Sequence, residues 1–214
     1  MKFNDIKETF STTPKLVILI KKYSKGRNLD VGCGTGAYFK YFKGNEIYGI
    51  DLEESYFKSI DVSKLGGKKI VLKKADMREI PFKNGYFDFI VCSLVLEYMK
   101  TDKDLNLAVS ELKRVLGKGG ILIVTTPHKS MFTTFVREQI ISRILPKKRN
   151  DKNFIMGIAR DSSILRKLGF KTRGCLGWVT YKALNKERLS KFLDIVFWNI
   201  PFFSGTLVGI YEKK

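Results

Sequence analysis

Three glycines at alternate positions, Gly32, Gly34 and Gly36, stand between two short apolar runs and narrow the choice of fold more than any other feature. The stretch reads Asn28-Leu29-Asp30-Val31-Gly32-Cys33-Gly34-Thr35-Gly36-Ala37, then Tyr38 to Lys43, then Glu46-Ile47-Tyr48-Gly49-Ile50-Asp51. It predicts a strand, a glycine turn, a helix, and a second strand that ends on a carboxylate. Glycines let backbone approach a ligand where side chains would collide. A helix opening after the turn would offer unpaired N–H groups and a positive dipole end to an anionic group. Parallel pairing of the two strands would bring Asp51 beside the turn, where its carboxylate can accept both hydroxyls of a ribose.

The spacing separates this stretch from the dinucleotide fingerprint, Gly-x-Gly-x-x-Gly. Here it is Gly-x-Gly-x-Gly, with Asp30 two residues ahead of the first glycine. That form resembles the nucleoside-binding half of the class I S-adenosylmethionine-dependent methyltransferases. The resemblance implies an α/β, Rossmann-like, doubly wound sheet of seven strands with helices on both faces. Its order would be 3-2-1-4-5-7-6, mostly parallel, with the last strand antiparallel. It also implies S-adenosyl-L-methionine as cofactor and S-adenosyl-L-homocysteine as product. The cofactor contacts would be Asp30, Gly32, Cys33, Gly34, Gly36, Asp51 and Leu52.

A second match lies further on. Lys69 to Lys73 predicts the third strand, and Ala75-Asp76-Met77-Arg78-Glu79-Ile80-Pro81-Phe82 leads through a polar turn to Phe87-Asp88. This is similar to the ubiquinone/menaquinone-methyltransferase-like group, which has an acidic residue after the third strand, then Leu/Ile-Pro-Phe, then Phe-Asp opening the fourth. The likeness implies that Asp76 accepts the adenine amino group and Met77 lies against the ring. A solvated turn carboxylate and a core filler are the alternatives. Phe87 to Ser93 predicts a buried central strand. The backbone carbonyl near Ser93 would meet the cofactor's amino group, and Glu97 and Tyr98 either take part in catalysis or brace the loop.

Around these motifs the chain reads as one domain of 214 residues. Thr9 to Lys25 predicts a helix with Pro14 early in it, which in the family closes over the cofactor; a helix merely packed on the sheet is the alternative. Leu105, Ala108, Val109, Leu112 and Val115 form one apolar stripe, with Asp102 or Asp104 as its cap. Leu116-Gly117-Lys118-Gly119-Gly120 ends that helix, and Ile121 to Thr126 predicts the fifth strand. A short helix from Asp161-Ser162-Ser163 ends at Leu168-Gly169-Phe170. Lys171 to Val179 and Gly205 to Tyr211 predict strands six and seven, with an amphipathic helix from Lys186 to Trp198 between them. Residues 128–160 and 180–204 would form a variable cap over the acceptor. There Ile195, Trp198, Phe202 and Phe203 either line a pocket or pack under the sheet edge. His128, the single histidine, stands just past the fifth strand as a candidate acid/base or acceptor contact.

The three cysteines are scattered, with no metal-ligand spacing, and suit a reducing cytoplasm. No signal peptide is read at the N-terminus, and Asp194, Asn199 and Pro201 break the apolar run from Phe192 to Tyr211, so no spanning helix is expected. The formal net charge is +19, and Arg137 to Arg173 holds eleven basic and three acidic residues. Such a field attracts nucleic acid, anionic lipid or acidic small molecules. The fourth-strand loop, Ser-Leu-Val-Leu-Glu-Tyr, lacks the Asn/Asp-Pro-Pro-Tyr signature of many base N-methyltransferases. A small-molecule acceptor of apolar character is therefore the first expectation. An RNA methyltransferase and a non-catalytic cofactor-binding subunit are the alternatives.

Overall fold

A computed structural model describes residues 14–128, 161–175, 198, 204 and 206–214. Helix α1 (Pro14–Tyr23) precedes strand β1 (Arg27–Val31), followed by β2 (Glu46–Asp51), β3 (Lys69–Lys74) and β4 (Phe87–Ser93). Helix α2 (Asp102–Val115), β5 (Leu116–Pro127), α3 (Ser162–Lys167), β6 (Lys171–Cys175) and β7 (Thr206–Glu212) complete the described elements. The strands form one seven-stranded sheet in the order β3-β2-β1-β4-β5-β7-β6. Neighbours from β3 to β5 run parallel, and β7 is antiparallel to both β5 and β6. This is the expected α/β architecture.

The centre of the sheet is apolar on both faces. Leu29, Val31, Ile90, Cys92 and Leu122 join the α2 stripe on one side, while Ile47, Phe89, Val91 and Ile123 join Leu16, Leu19 and Ile20 of α1 on the other. At about 25 cal/mol per Å² of apolar surface, such burial is the main force holding helices to sheet.

Several boundaries differ from the sequence reading. The helix expected after the glycine turn is a single 3₁₀ turn, Phe39–Tyr41. Tyr38, Phe39 and Phe42 are buried there, with Phe42 edge-on to Phe89 at 6.0 Å. The chain turns extended at Phe42, and Gly44, a poor helix former, follows two residues later. One turn of 3₁₀ helix brings no helix dipole to bear on a ligand, so the expected anion-binding helix N-terminus is absent after the glycine turn. The α2 cap is Thr101, whose hydroxyl accepts from Asp104 N at 3.0 Å, rather than Asp102 or Asp104. Strand β5 starts at Leu116, directly after α2, and residues between the Phe87↔Leu116 and Phe89↔Ile121 pairs bulge out of register. Its Gly119 takes the expected turn conformation, with φ 68°. The segments 9–13, 129–160, 176–179 and 186–197, with Phe202, Phe203 and Gly205, lie outside the described residues, as do the readings placed on them. Among the described residues no helix is long and apolar enough to cross a membrane.

Candidate functional site

The carboxyl ends of β1, β2 and β4 meet at the glycine turn. Gly32 N and Cys33 N donate to the Ile50 carbonyl at 2.8 and 3.0 Å, tying the turn to β2. Gly32, Gly34 and Gly36 all have positive φ, at 70°, 50° and 72°. At Gly32 a Cβ would also run into the Val95 side chain, so the turn and the loop after β4 touch backbone to side chain. Asp51 closes the turn from the tip of β2: one carboxylate oxygen accepts from Gly34 N at 2.8 Å, the other from Glu53 N at 3.0 Å. Beside it Leu52 is 61% exposed, an apolar side chain turned to solvent. Cys33 is a buried thiol beneath the turn.

Asp30 sits in mid-sheet within β1, paired in register with Gly49 and Val91, and is buried. One of its carboxylate oxygens has no hydrogen-bond partner among the described residues. Burial first, and the charge of Asp51 second, push its carboxyl well above the usual carboxylate range.

Ser93 ends β4 with its hydroxyl between Tyr38 Oη at 3.0 Å and Thr125 Oγ1 at 2.9 Å. The next residue, Leu94, has φ 55°, which a non-glycine residue adopts only under constraint. Its N–H donates to the Thr125 carbonyl at 3.1 Å, which holds that conformation. Nothing in the sequence singles out Leu94. The Tyr38–Ser93–Thr125 chain was equally hidden, because its members lie far apart in sequence.

Glu97 points inward and is buried, and its charge joins burial in raising the Cys92 thiol. Tyr98 is 54% exposed. Burial of part of its ring, then Glu97, Tyr56 and Asp51, push its phenol above the ordinary value. Tyr56 and Asp51 thus lie within electrostatic reach of Tyr98, although Tyr56 was not a site candidate in the sequence.

On the β3 side, Asp76 is clasped by Arg78. The guanidinium donates to both carboxylate oxygens, at 3.1 Å from Nε and 2.6 Å from Nη2, and Arg78 N adds 2.8 Å to Oδ1. These bonds hold the Asp76 carboxyl below its usual range. A base amino group would share that carboxylate with Arg78. Met77 is buried in the core cluster under the sheet.

His128 lies past the end of β5, buried, with Nδ1 3.1 Å from the Ser204 carbonyl and 3.4 Å from its hydroxyl. A carbonyl only accepts, so Nδ1 carries the proton, and in a neutral ring the lone pair is on Nε2. Trp198 is half-buried and packs against the α1 side of the core, with Lys15 Nζ 4.5 Å over its ring. No cluster of metal-ligating side chains occurs among the described residues.

Residues 29–124 match the methyltransferase domain family. An uncharacterized protein of Methanocaldococcus jannaschii is 31% identical over 147 residues, covering 69% of this chain and 65% of the relative. A tRNA (carboxymethyluridine(34)-5-O)-methyltransferase of Arabidopsis thaliana is 26% identical over 117 residues, covering 54% of this chain and 28% of the plant protein. The chain thus spans less than two thirds of either relative's length. Among solved structures, magnesium protoporphyrin IX methyltransferase of Synechocystis with bound S-adenosylhomocysteine shares the fold. Its TM-score is 0.59 at 15% identity, over 94% of this chain and 81% of that one.

Proposed function

We propose, from the premise that residues 29–124 form a methyltransferase domain of the class I fold, that this protein transfers a methyl group from S-adenosylmethionine to a small-molecule acceptor of apolar character. The observation that carries the reading is the pairing of Asp51 with Gly34 N at the end of β2, beside a buried Asp30 oxygen with no partner among the described residues. These groups fit a nucleoside with an attached amino acid. Asp51 would take the ribose hydroxyls, and Gly32, Gly34 and Gly36 would let backbone approach the ligand. Cys33 and Leu52 would line it, Asp76 and Met77 would flank the adenine, and the Ser93 carbonyl would meet the amino group. Within class I, Ile80-Pro81-Phe82 and Phe87-Asp88 favour the ubiquinone/menaquinone-methyltransferase-like group.

When bound, the cofactor supplies a methyl group already activated by its sulfonium. What remains for the chain is chiefly to orient an acceptor and exclude water. Tyr98, exposed at the strand ends, would border the acceptor, with Glu97 bracing its turn from inside. His128, held at Nδ1 by Ser204 past the end of β5, would be the acid/base or acceptor contact. The acceptor would enter under residues 128–160 and 180–204. A second reading, RNA as acceptor, draws on the net charge of +19 and on the plant relative's tRNA activity.

Calorimetry with S-adenosylhomocysteine tests the cofactor site. Hydrogen bonds to a charged group contribute roughly 1.5–3 kcal/mol, so Asp51→Ala should weaken binding at least about tenfold while circular dichroism stays unchanged. Tight binding of NADH and none of S-adenosylhomocysteine would overturn the reading.

A further inference from the structure

Parallel strands are ordinarily joined through a helix that packs on the sheet and satisfies its own backbone. Between β3 and β4, residues 75–86 contain no helix. This loop carries Asp76 and Met77; short turns within it satisfy Glu79 N and Phe82 N, and two side chains of α2 take Ile80 N and the Ile80 and Phe82 carbonyls. Arg114 donates from Nη2 to the Ile80 carbonyl at 2.8 Å, and from Nη1 to the Phe82 carbonyl at 2.8 Å and Asn84 Oδ1 at 2.9 Å. Glu111 accepts from Ile80 N at 2.9 Å and holds the guanidinium at 2.6 and 2.7 Å. All of the fork's directions are thus used, which an ammonium could not reproduce. At the other end of α2, Asp104 takes Arg78 Nη1 at 2.9 Å, and Arg78 in turn grips Asp76.

We infer that Glu111 and Arg114 are positioning residues for base recognition. Helix α2 acts as a splint for a loop without regular secondary structure, and so fixes the wall against which an adenine ring is read. The inference rests on the cofactor reading above. It adds that the selectivity for adenine is set from a helix that does not touch the ligand.

The test is calorimetry of S-adenosylhomocysteine and of S-inosylhomocysteine, in which an oxo group replaces the amino group. Wild-type protein should prefer the adenine compound by at least about tenfold, the worth of one well-placed hydrogen bond. Arg114→Ala should lose about tenfold in affinity for the adenine compound and narrow the preference to about twofold. Arg114→Lys should lie between. A change of stability alone leaves the ratio unmoved in the folded fraction, so the ratio separates positioning from mere support. Glu111→Gln, nearly isosteric, is the variant to use if Arg114→Ala does not fold, and the same narrowing is expected of it. Unchanged affinity and preference in a folded variant would overturn the inference, as would a wild type that does not discriminate. Wild-type protein that binds neither compound would instead bring down the cofactor reading, and the inference with it.

Discussion

A carboxyl group in the middle of a central strand faces a simple conflict: burial favours its neutral form, while the unfolded chain ionises it freely above pH of about 3.9. Asp30 is in that position, with its folded value raised well above the usual range by burial and then by Asp51. The folded state therefore holds a proton that the unfolded state has already released. By linkage, stability falls as pH climbs from the ordinary carboxylate value toward the folded one, and is fully present only below it. Asp30→Asn keeps the shape and removes the titration. Urea midpoints of the two proteins should converge near pH 4 and separate toward pH 7, with the asparagine variant increasingly favoured. Parallel curves across that range would show that Asp30 ionises in the fold as easily as in the unfolded chain. Asp51 differs in that its two oxygens have backbone donors, Gly34 N and Glu53 N, which suits it to contact a ligand rather than to withdraw from water.

Strand, turn and loop act together where the glycine turn meets the segment after β4. Gly32 needs a left-handed backbone, and its Cβ would also strike Val95. Gly66 needs nearly the same backbone, φ 65°, but a Cβ there meets only open space. Alanine at Gly66 should thus cost about 1 kcal/mol from conformation alone. At Gly32 it should cost about 2–3 kcal/mol, because the displaced valine adds its own strain. Denaturant melts of the two variants measure the difference, and equal losses would mean that Val95 yields without cost. The turn and its strands were legible because periodicity and glycine placement are local signals. Phe87–Ser93 was read to the residue, as a continuous apolar run bounded by polar turns allows. The helix after the turn was misread because Tyr38, Phe39 and Phe42 are helix-compatible in isolation and are drawn flat onto the sheet by the core. Neither the reach of Arg78 to Asp104 nor that of Arg114 to the Ile80 and Phe82 carbonyls could be read, since each ends on a group far off in sequence with no spacing rule between them.

Charge is the property that belongs to the molecule as a whole, and its placement bears on the choice of acceptor. Both sheet edges are basic: Lys69, Lys73 and Lys74 are exposed on β3, Lys171 and Arg173 on β6. Lysines on an edge strand discourage strand addition by other chains, which gives part of the +19 a structural use with no polyanion involved. The two edges lie at opposite ends of a seven-stranded sheet and do not form one groove that could track a single strand of RNA. A polycation still binds RNA at low salt by releasing counterions, so binding alone decides nothing. What decides is how it responds to salt, since each neutralised phosphate of a single strand contributes about −0.7 to the log–log slope. With a small-molecule acceptor, RNA affinity measured by fluorescence anisotropy should fall steeply with salt and vanish near about 150 mM, independent of sequence. No methylated nucleoside should appear when RNA is incubated with S-adenosylmethionine at that salt. A protected footprint that persists there, together with a methylated nucleoside in the digest, would assign the basic surface to substrate binding and replace the small-molecule reading with an RNA one.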